Sequence, residues 1–249
     1  MWMLLHGFSG SPQGWDQVVA RADFDEEPLL PMLLGHGRDW HRAQRGTFDA
    51  EVSRLASMAL GLARPRLVCG YSMGARLALG MLASHPELWD AALLIGVHPG
   101  LADESARTER RELDSSRSQL LRTKGLAAFF DVWENLPLFQ SQRDLPDAAL
   151  ARQRAIRLSH DAEGLAHALE VLGLAEMPNY GTALSSSAVP ITLIAGARDP
   201  KFADIACSFA ETNAQIDAVI VEGVGHNVVL EAPDAVVAAL RQIERRMSR

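Results

Sequence analysis

Apolar residues in this chain gather in short unbroken runs: Trp2 to Leu5, Pro28 to Leu34, Arg66 to Cys69, Ala91 to Gly96, Ile191 to Ala195 and Ala218 to Val221. A continuous run bounded by Gly or Pro fits a strand buried on both faces, as in a parallel sheet covered by helices. Between the runs, Phe48 to Ala63, Ala75 to His85 and Ala232 to Met247 repeat apolar positions at helical spacing. The last of these has Pro233 in its first turn and Arg241, Arg245 and Arg246 toward its C-terminal end, where cations complement the helix dipole. The alternation predicts a doubly wound α/β fold with a mostly parallel sheet.

From about His98 to Ser187 the alternation stops, leaving helical patterns, two Pro-containing turns and no strand pattern. Residues 98–187 are therefore expected to form a helical cap, inserted into an α/β core of residues 1–97 and 188–249. Residues 101–160 hold ten basic residues, nine of them Arg, against nine acidic ones, while the chain as a whole carries a net charge of −7. Arginine thus concentrates in the predicted cap, either in ion pairs on a solvated helix face or as ligands for anions.

Composition narrows the function classes. With 249 residues, 48% apolar and 22% charged, the chain is neither disordered, collagen-like nor a coiled coil. An acidic chain has no general electrostatic reason to seek nucleic acid or an anionic membrane. Cys69 and Cys207 stand alone in apolar-to-small stretches, so no disulfide framework or thiolate metal site is indicated, and both are expected to be buried. No run approaches the ~20 apolar residues of a membrane span, and the start of the chain lacks a signal-peptide pattern. The expectation is a cytoplasmic protein and, with no diagnostic apolar stripe, a monomer.

The chemistry concentrates at three strand ends. Leu67-Val68-Cys69-Gly70-Tyr71-Ser72-Met73-Gly74-Ala75-Arg76 is an apolar run entering G-x-S-x-G and then a helix, the context that a nucleophile elbow requires. Gly70 and Gly74 remove side chains that would collide in so tight a turn, and the Met73 amide can face a developing oxyanion. A serine hydroxyl needs an imidazole to take its proton and a carboxylate to orient that imidazole. Asp199 follows the run Ile191 to Ala195, and His226 follows Ala218 to Val221, each just beyond a Gly-containing turn. Both would leave the sheet edge where Ser72 emerges, which is where open α/β sheets bind ligands. Leu5-His6-Gly7-Phe8-Ser9-Gly10 leaves the first strand at the place for a second oxyanion donor, assigned to the Phe8 amide. His6 and His36 are expected to pack and hydrogen-bond beneath the site.

Taken together, HGFSGS, GHG, GYSMGAR, GARDPKF and GHN, in this order and spacing, resemble the α/β-hydrolase superfamily across essentially the whole chain. Three further features are similar to one family within it, the pyruvate-eliminating synthases of menaquinone biosynthesis. These are Arg76 after the elbow, the stretch Val132 to Phe139, and Arg157-Leu158-Ser159 followed later by Met177-Pro178-Asn179. The resemblance implies a lyase in which Ser72, activated by His226 and oriented by Asp199, removes a proton from a ring substrate. An enolpyruvyl group then leaves as pyruvate, with no cofactor and no metal. It also implies that Phe8 and Met73 form the oxyanion hole. Arg76, Arg157 and one of the pair Arg110 and Arg111, assigned to Arg111, would bind carboxylates of a small polycarboxylate substrate, with Tyr71 and Trp133 lining the pocket. The residues themselves leave two other readings open: a serine hydrolase, either an esterase or a carbon–carbon bond hydrolase, using the same triad nucleophilically, and a non-catalytic binding protein.

The sequence departs from the superfamily pattern in three places. The hairpin that often precedes the first strand is missing, so a shorter sheet is expected. Met32-Leu33-Leu34-Gly35-His36-Gly37 stands where D-L-P-G-H-G is usual, and Ala75 replaces the commoner second Gly of the elbow.

Overall fold

Five parallel strands form one sheet in chain order: β1 (Trp2–Leu5), β2 (Leu67–Tyr71), β3 (Ala91–Ile95), β4 (Ile191–Gly196) and β5 (Ile216–Val221). The computed structural model describes residues 1–38, 40 and 46–247. Helices α1 (Asp16–Ala22) and α2 (Phe48–Ala59) lie between β1 and β2, and α3 (Met73–Ser84) lies between β2 and β3. Helices α4 (Glu104–Trp133), α5 (Asp147–Leu158), α6 (Ala162–Leu172) and α7 (Gly181–Ser185) separate β3 from β4. The chain closes through α8 (Pro200–Thr212), α9 (Val228–Glu231) and α10 (Pro233–Met247).

The unbroken apolar runs follow from burial on both sheet faces. Successive strand residues alternate between two cores, since side chains in a strand point to opposite faces. Met3, Leu5, Val68, Ala92, Leu94 and Leu193 pack with α2 and α3, while Trp2, Leu4, Leu67, Cys69, Leu93 and Ile194 pack with α1 and α10. The parallel register pairs Leu5 with Gly70, Tyr71 with Ile95 and Gly196 with Val221, so the strands finish along one edge. Every turn that carries a predicted catalytic residue leaves from that edge.

Two expectations need correction. The run Pro28 to Leu34 does not form a strand: only Leu29 bridges to Met3, its amide donating to the Trp2 carbonyl and its carbonyl accepting from Leu4, each at 2.9 Å. The next donor of a parallel ladder would be residue 31, and Pro31 has no N–H, so pairing stops after one residue. Cys69 is buried in β2, which pushes its thiol pKa up, whereas Cys207 is exposed on α8. Among the described residues no helix is long and apolar enough to cross a membrane.

The segment between β3 and β4 has a small core of its own, built from Leu121, Phe129 and Phe130 of α4 against Leu165, Ala166 and Leu169 of α6. Helix α4 is interrupted at Gly125, whose φ of 76° is a conformation that favours glycine. Three histidines in edge-to-face contact tie this segment to the loops at the sheet edge. His6 and His36 ring centres are 4.8 Å apart, and those of His36 and His160 are 5.4 Å apart. In each ring one nitrogen accepts from a backbone amide: His6 Nε2 from Leu33, His36 Nε2 from Ser9 and His160 Nδ1 from Gly37. The other nitrogen then donates to a carbonyl, those of Gly7, Leu34 and Ser9 respectively. A second ring proton on any of them would confront an amide N–H, so all three are built to be neutral.

Burial lowers the pKa of all three, that of His6 to about 4, with the neighbouring imidazoles adding to the effect on His6 and His36. A His whose folded pKa lies below its unfolded value of 6.5 contributes stability that is present above pH 6.5. That stability is lost as pH falls toward the folded value. For His6 the loss is of order 3 kcal/mol. The thermal midpoint should therefore fall steadily from pH 6.5 toward pH 4. Side-chain ¹⁵N NMR should meanwhile show His6 unprotonated through pH 5.5, with His36 and His160 titrating below the ordinary imidazole range. Titration of these rings near pH 6.5 would contradict the assignment.

Candidate active site

The turn from β2 into α3 places Ser72 at φ 51° and ψ −106°, a strained conformation for a residue with a side chain. The surroundings impose it. A Cβ on Gly70 would lie 2.5 Å from the Gly74 carbonyl, and one on Gly74 would lie 2.3 Å from the Leu5 oxygen. Without those two methyl-sized obstructions, α3 starts directly against β1 and β2, and the Ser72 amide donates to the Ile95 carbonyl at 2.8 Å.

His226 stands opposite. Its Nδ1–H donates to Asp199 Oδ2 at 2.7 Å, and its Nε2 accepts from Ser72 Oγ at 3.0 Å. Asp199 and His226 are both buried. Asp199 precedes α8 yet makes no side-chain cap to that helix, so its carboxylate is committed to the imidazole. The ring lies against Phe202 at 4.6 Å, Tyr71 at 5.6 Å and Phe139 at 6.5 Å between centres. Gly96, with φ 59°, admits it: a Cβ there would sit 2.9 Å from His226 Cε1.

Ser72 opens onto a cavity whose walls include Phe8, Met73, Tyr71, Trp133, Arg76, Arg110 and Arg117. Phe8 and Met73, the expected oxyanion donors, line the same cavity as the serine, and Met73 opens a helix whose first amides have no intrahelical partner. Arg76 is buried and donates from Nη1 to the Leu172 carbonyl at 2.8 Å. Burial first, and then the charge of Arg110, push its pKa down to about 9, with Asp114 opposing. His98 on the same wall is pushed down to about 4, chiefly by burial and then by Lys201.

The other expected residues divide. Trp133 is fixed by Phe129, stacked at 5.4 Å, and by Phe8 at 5.1 Å. Arg157 is buried with Nη1 2.9 Å from Glu134, its guanidinium 5.5 Å from the Phe139 ring centre. It lines an adjoining cavity, shared with Gly7 to Gly10 and Asn227, and the two cavities meet at Phe8, Tyr71 and Phe139. Burial lowers the Arg157 pKa, with Glu134 opposing, and burial raises that of Tyr71. Arg111 does not reach either cavity. It is half exposed and pairs with Glu176 at 2.8 Å, whereas Arg110 lines the serine cavity and holds Asp114 at 2.7 Å. The helix makes this choice, because adjacent residues on α4 point about 100° apart. Residues not anticipated from sequence are Arg117, His98, Phe202 and Phe139. The spacing Arg110, Leu113, Arg117 on one helix face was the available signal.

Comparison with known proteins identifies the family to which this fold belongs. Residues 3–239 match the α/β hydrolase family. A relative from Enterobacter sp. (strain 638), a 2-succinyl-6-hydroxy-2,4-cyclohexadiene-1-carboxylate synthase, is 34% identical over 98% of this chain and 92% of its own length. The solved structure of MenH from S. aureus superposes with a TM-score of 0.90 at 28% identity, covering 100% of this chain and 94% of that one. A thermophilic esterase from Thermogutta terrifontis, at 23% identity and a TM-score of 0.83 over 99% of this chain and 89% of its own, shares the fold. The chain is thus an enzyme of the α/β-hydrolase family, in the branch that the 2-succinyl-6-hydroxy-2,4-cyclohexadiene-1-carboxylate synthases form.

Proposed function

We propose that this enzyme eliminates pyruvate from 2-succinyl-5-enolpyruvyl-6-hydroxy-3-cyclohexene-1-carboxylate, with Ser72, His226 and Asp199 acting together as a base. The observation that carries this reading is the hydrogen-bonded Ser72–His226–Asp199 chain opening onto a cavity walled by several arginines. Such a wall suits a substrate with three carboxylates, and esters of ordinary acids have no use for it.

His226 takes the Ser72 proton as Ser72 Oγ takes the proton from the ring carbon that bears the succinyl group. That carbon is acidified by the succinyl ketone, and the Phe8 and Met73 amides stabilise the charge that develops on the ketone oxygen. The released electron pair forms the first new ring double bond, the existing one shifts, and the ring carbon–oxygen bond breaks. Enolpyruvate leaves and is protonated on carbon from His226 to give pyruvate, so atoms and charges balance without water. Arg76 and Arg157 bind carboxylates from two sides of the Phe8, Tyr71 and Phe139 junction, and Arg110 takes the position that sequence alone assigned to Arg111. Residues 98–187 act as a cap that keeps this charge-rich cavity out of bulk water.

The test is a paired assay of purified protein, following pyruvate release from the enolpyruvyl substrate beside cleavage of a short p-nitrophenyl ester. Fast pyruvate release with negligible ester cleavage is expected. Efficient ester cleavage without pyruvate would make the enzyme a serine hydrolase.

Within that assay Ser72→Ala should lower kcat/KM by about 10³-fold or more with little change in thermal midpoint, and Asp199→Asn by about 10²- to 10⁴-fold. A Ser72→Ala enzyme turning over at close to the parent rate would remove Ser72 from the mechanism. Arg157→Ala should act chiefly on KM, raising it about tenfold or more, and Arg157→Lys should not fully restore it, because a point charge cannot reproduce a planar fork. An unchanged kcat/KM in Arg157→Ala would exclude that arginine from the binding site.

A further inference from the structure

On α4, Arg110, Leu113 and Arg117 stand three and four residues apart on one face, and all three line the cavity onto which Ser72 opens. Arg110 has a close partner, its Nε donating to Asp114 Oδ2 at 2.7 Å. Arg117 reaches the other oxygen of the same buried carboxylate only at 3.4 Å. One carboxylate thus answers two guanidinium groups, and Arg76 adds a third cation whose hydrogen bond goes to a carbonyl. This wall is short of negative charge, and burial together with Arg110 lowers the Arg117 pKa despite Asp114.

Geometry gives that unmet charge a direction. The Arg117 guanidinium carbon lies 5.0 Å from the centre of the Trp133 ring, which is itself held by Phe129 and Phe8. A guanidinium resting over an indole keeps its N–H edges free for a planar acceptor. We propose that Arg117 is a specificity-determining ligand of this site, holding one carboxylate of the polycarboxylate substrate beside Trp133. The identity of that substrate rests on the elimination reading; the demand for a carboxylate rests on the charge of the wall alone.

The experiment measures binding of two probes, benzene-1,2,4-tricarboxylate and its neutral triamide, to the intact protein and to Arg117→Gln, with the fold of the variant checked by circular dichroism. Arg117→Gln should weaken the tricarboxylate about tenfold or more, as expected for a charge-assisted contact, and move the triamide less than about twofold. Arg117→Lys should fall between, and with the enolpyruvyl substrate Arg117→Gln should raise KM more than it lowers kcat. If Arg117→Gln does not fold, Arg117→Met, which can still pack on Trp133, takes its place.

Undiminished tricarboxylate binding in the variant would overturn the proposal. So would equal weakening of both probes, which would mark a packing role, or a parent protein that prefers the triamide. Absence of pyruvate release by the parent, with tricarboxylate binding still dependent on Arg117, would instead sink the elimination reading and leave this assignment standing.

Discussion

Two missing Cβ atoms set the geometry of everything at the sheet edge. Because Gly70 and Gly74 carry no side chains, the first turn of α3 lies directly against the carbonyl end of β1, closer than any other residue would permit. That contact forces Ser72 into its strained conformation and projects Oγ toward His226. The same close approach brings the loop after β1 beside the start of α3, so Phe8 and Met73 come to face one cavity. Strain of this kind persists only where the surroundings over-determine it. Here they do so through the Ser72 amide bond to β3 and the burial of nearly every residue along α3.

Around that rigid point the enzyme places cations without matching anions. Arg110 and Arg117 share the buried carboxylate of Asp114, Arg76 has only the Leu172 carbonyl, and Arg157 has Glu134, which it shares with Arg154. Removing arginines from water without full pairing costs stability, which is visible in the lowered pKa values of Arg76, Arg117 and Arg157. A polycarboxylate ligand would repair the deficit on binding. The neutral histidine cluster is arranged in the opposite way, with every nitrogen satisfied by backbone and no charge permitted. It fixes the GHG loop to the loop after β1 and to the turn between α5 and α6.

Features governed by local sequence were the most legible. Strands buried on both faces write unbroken apolar runs, so all five strands and the edge they share could be read within two residues at each end. The elbow announces itself because its glycines are obligatory, and Asp199 and His226 because each follows a Gly-containing turn beyond a strand. What could not be read depended on rotation or on distant partners. Arg110 and Arg111 are equivalent in composition, and only the phase of α4 against α6 turns one inward. Arg117 is inward for the same reason and was hidden among nine arginines. His160 joins His6 and His36 across more than a hundred residues, with no local mark of its role. Pro31 was the overlooked signal, since one missing donor ended a strand that six apolar neighbours suggested.

The central claim is that Ser72 acts here as a base toward carbon and not as a nucleophile toward an acyl group. It is tested most directly by single-turnover pyruvate release from substrate carrying deuterium on the ring carbon that bears the succinyl group, with the intact protein followed by mass spectrometry. The account predicts slower release from the deuterated substrate and no adduct on Ser72 at any time. Release at the full rate, accompanied by a transient covalent adduct on Ser72, would contradict it.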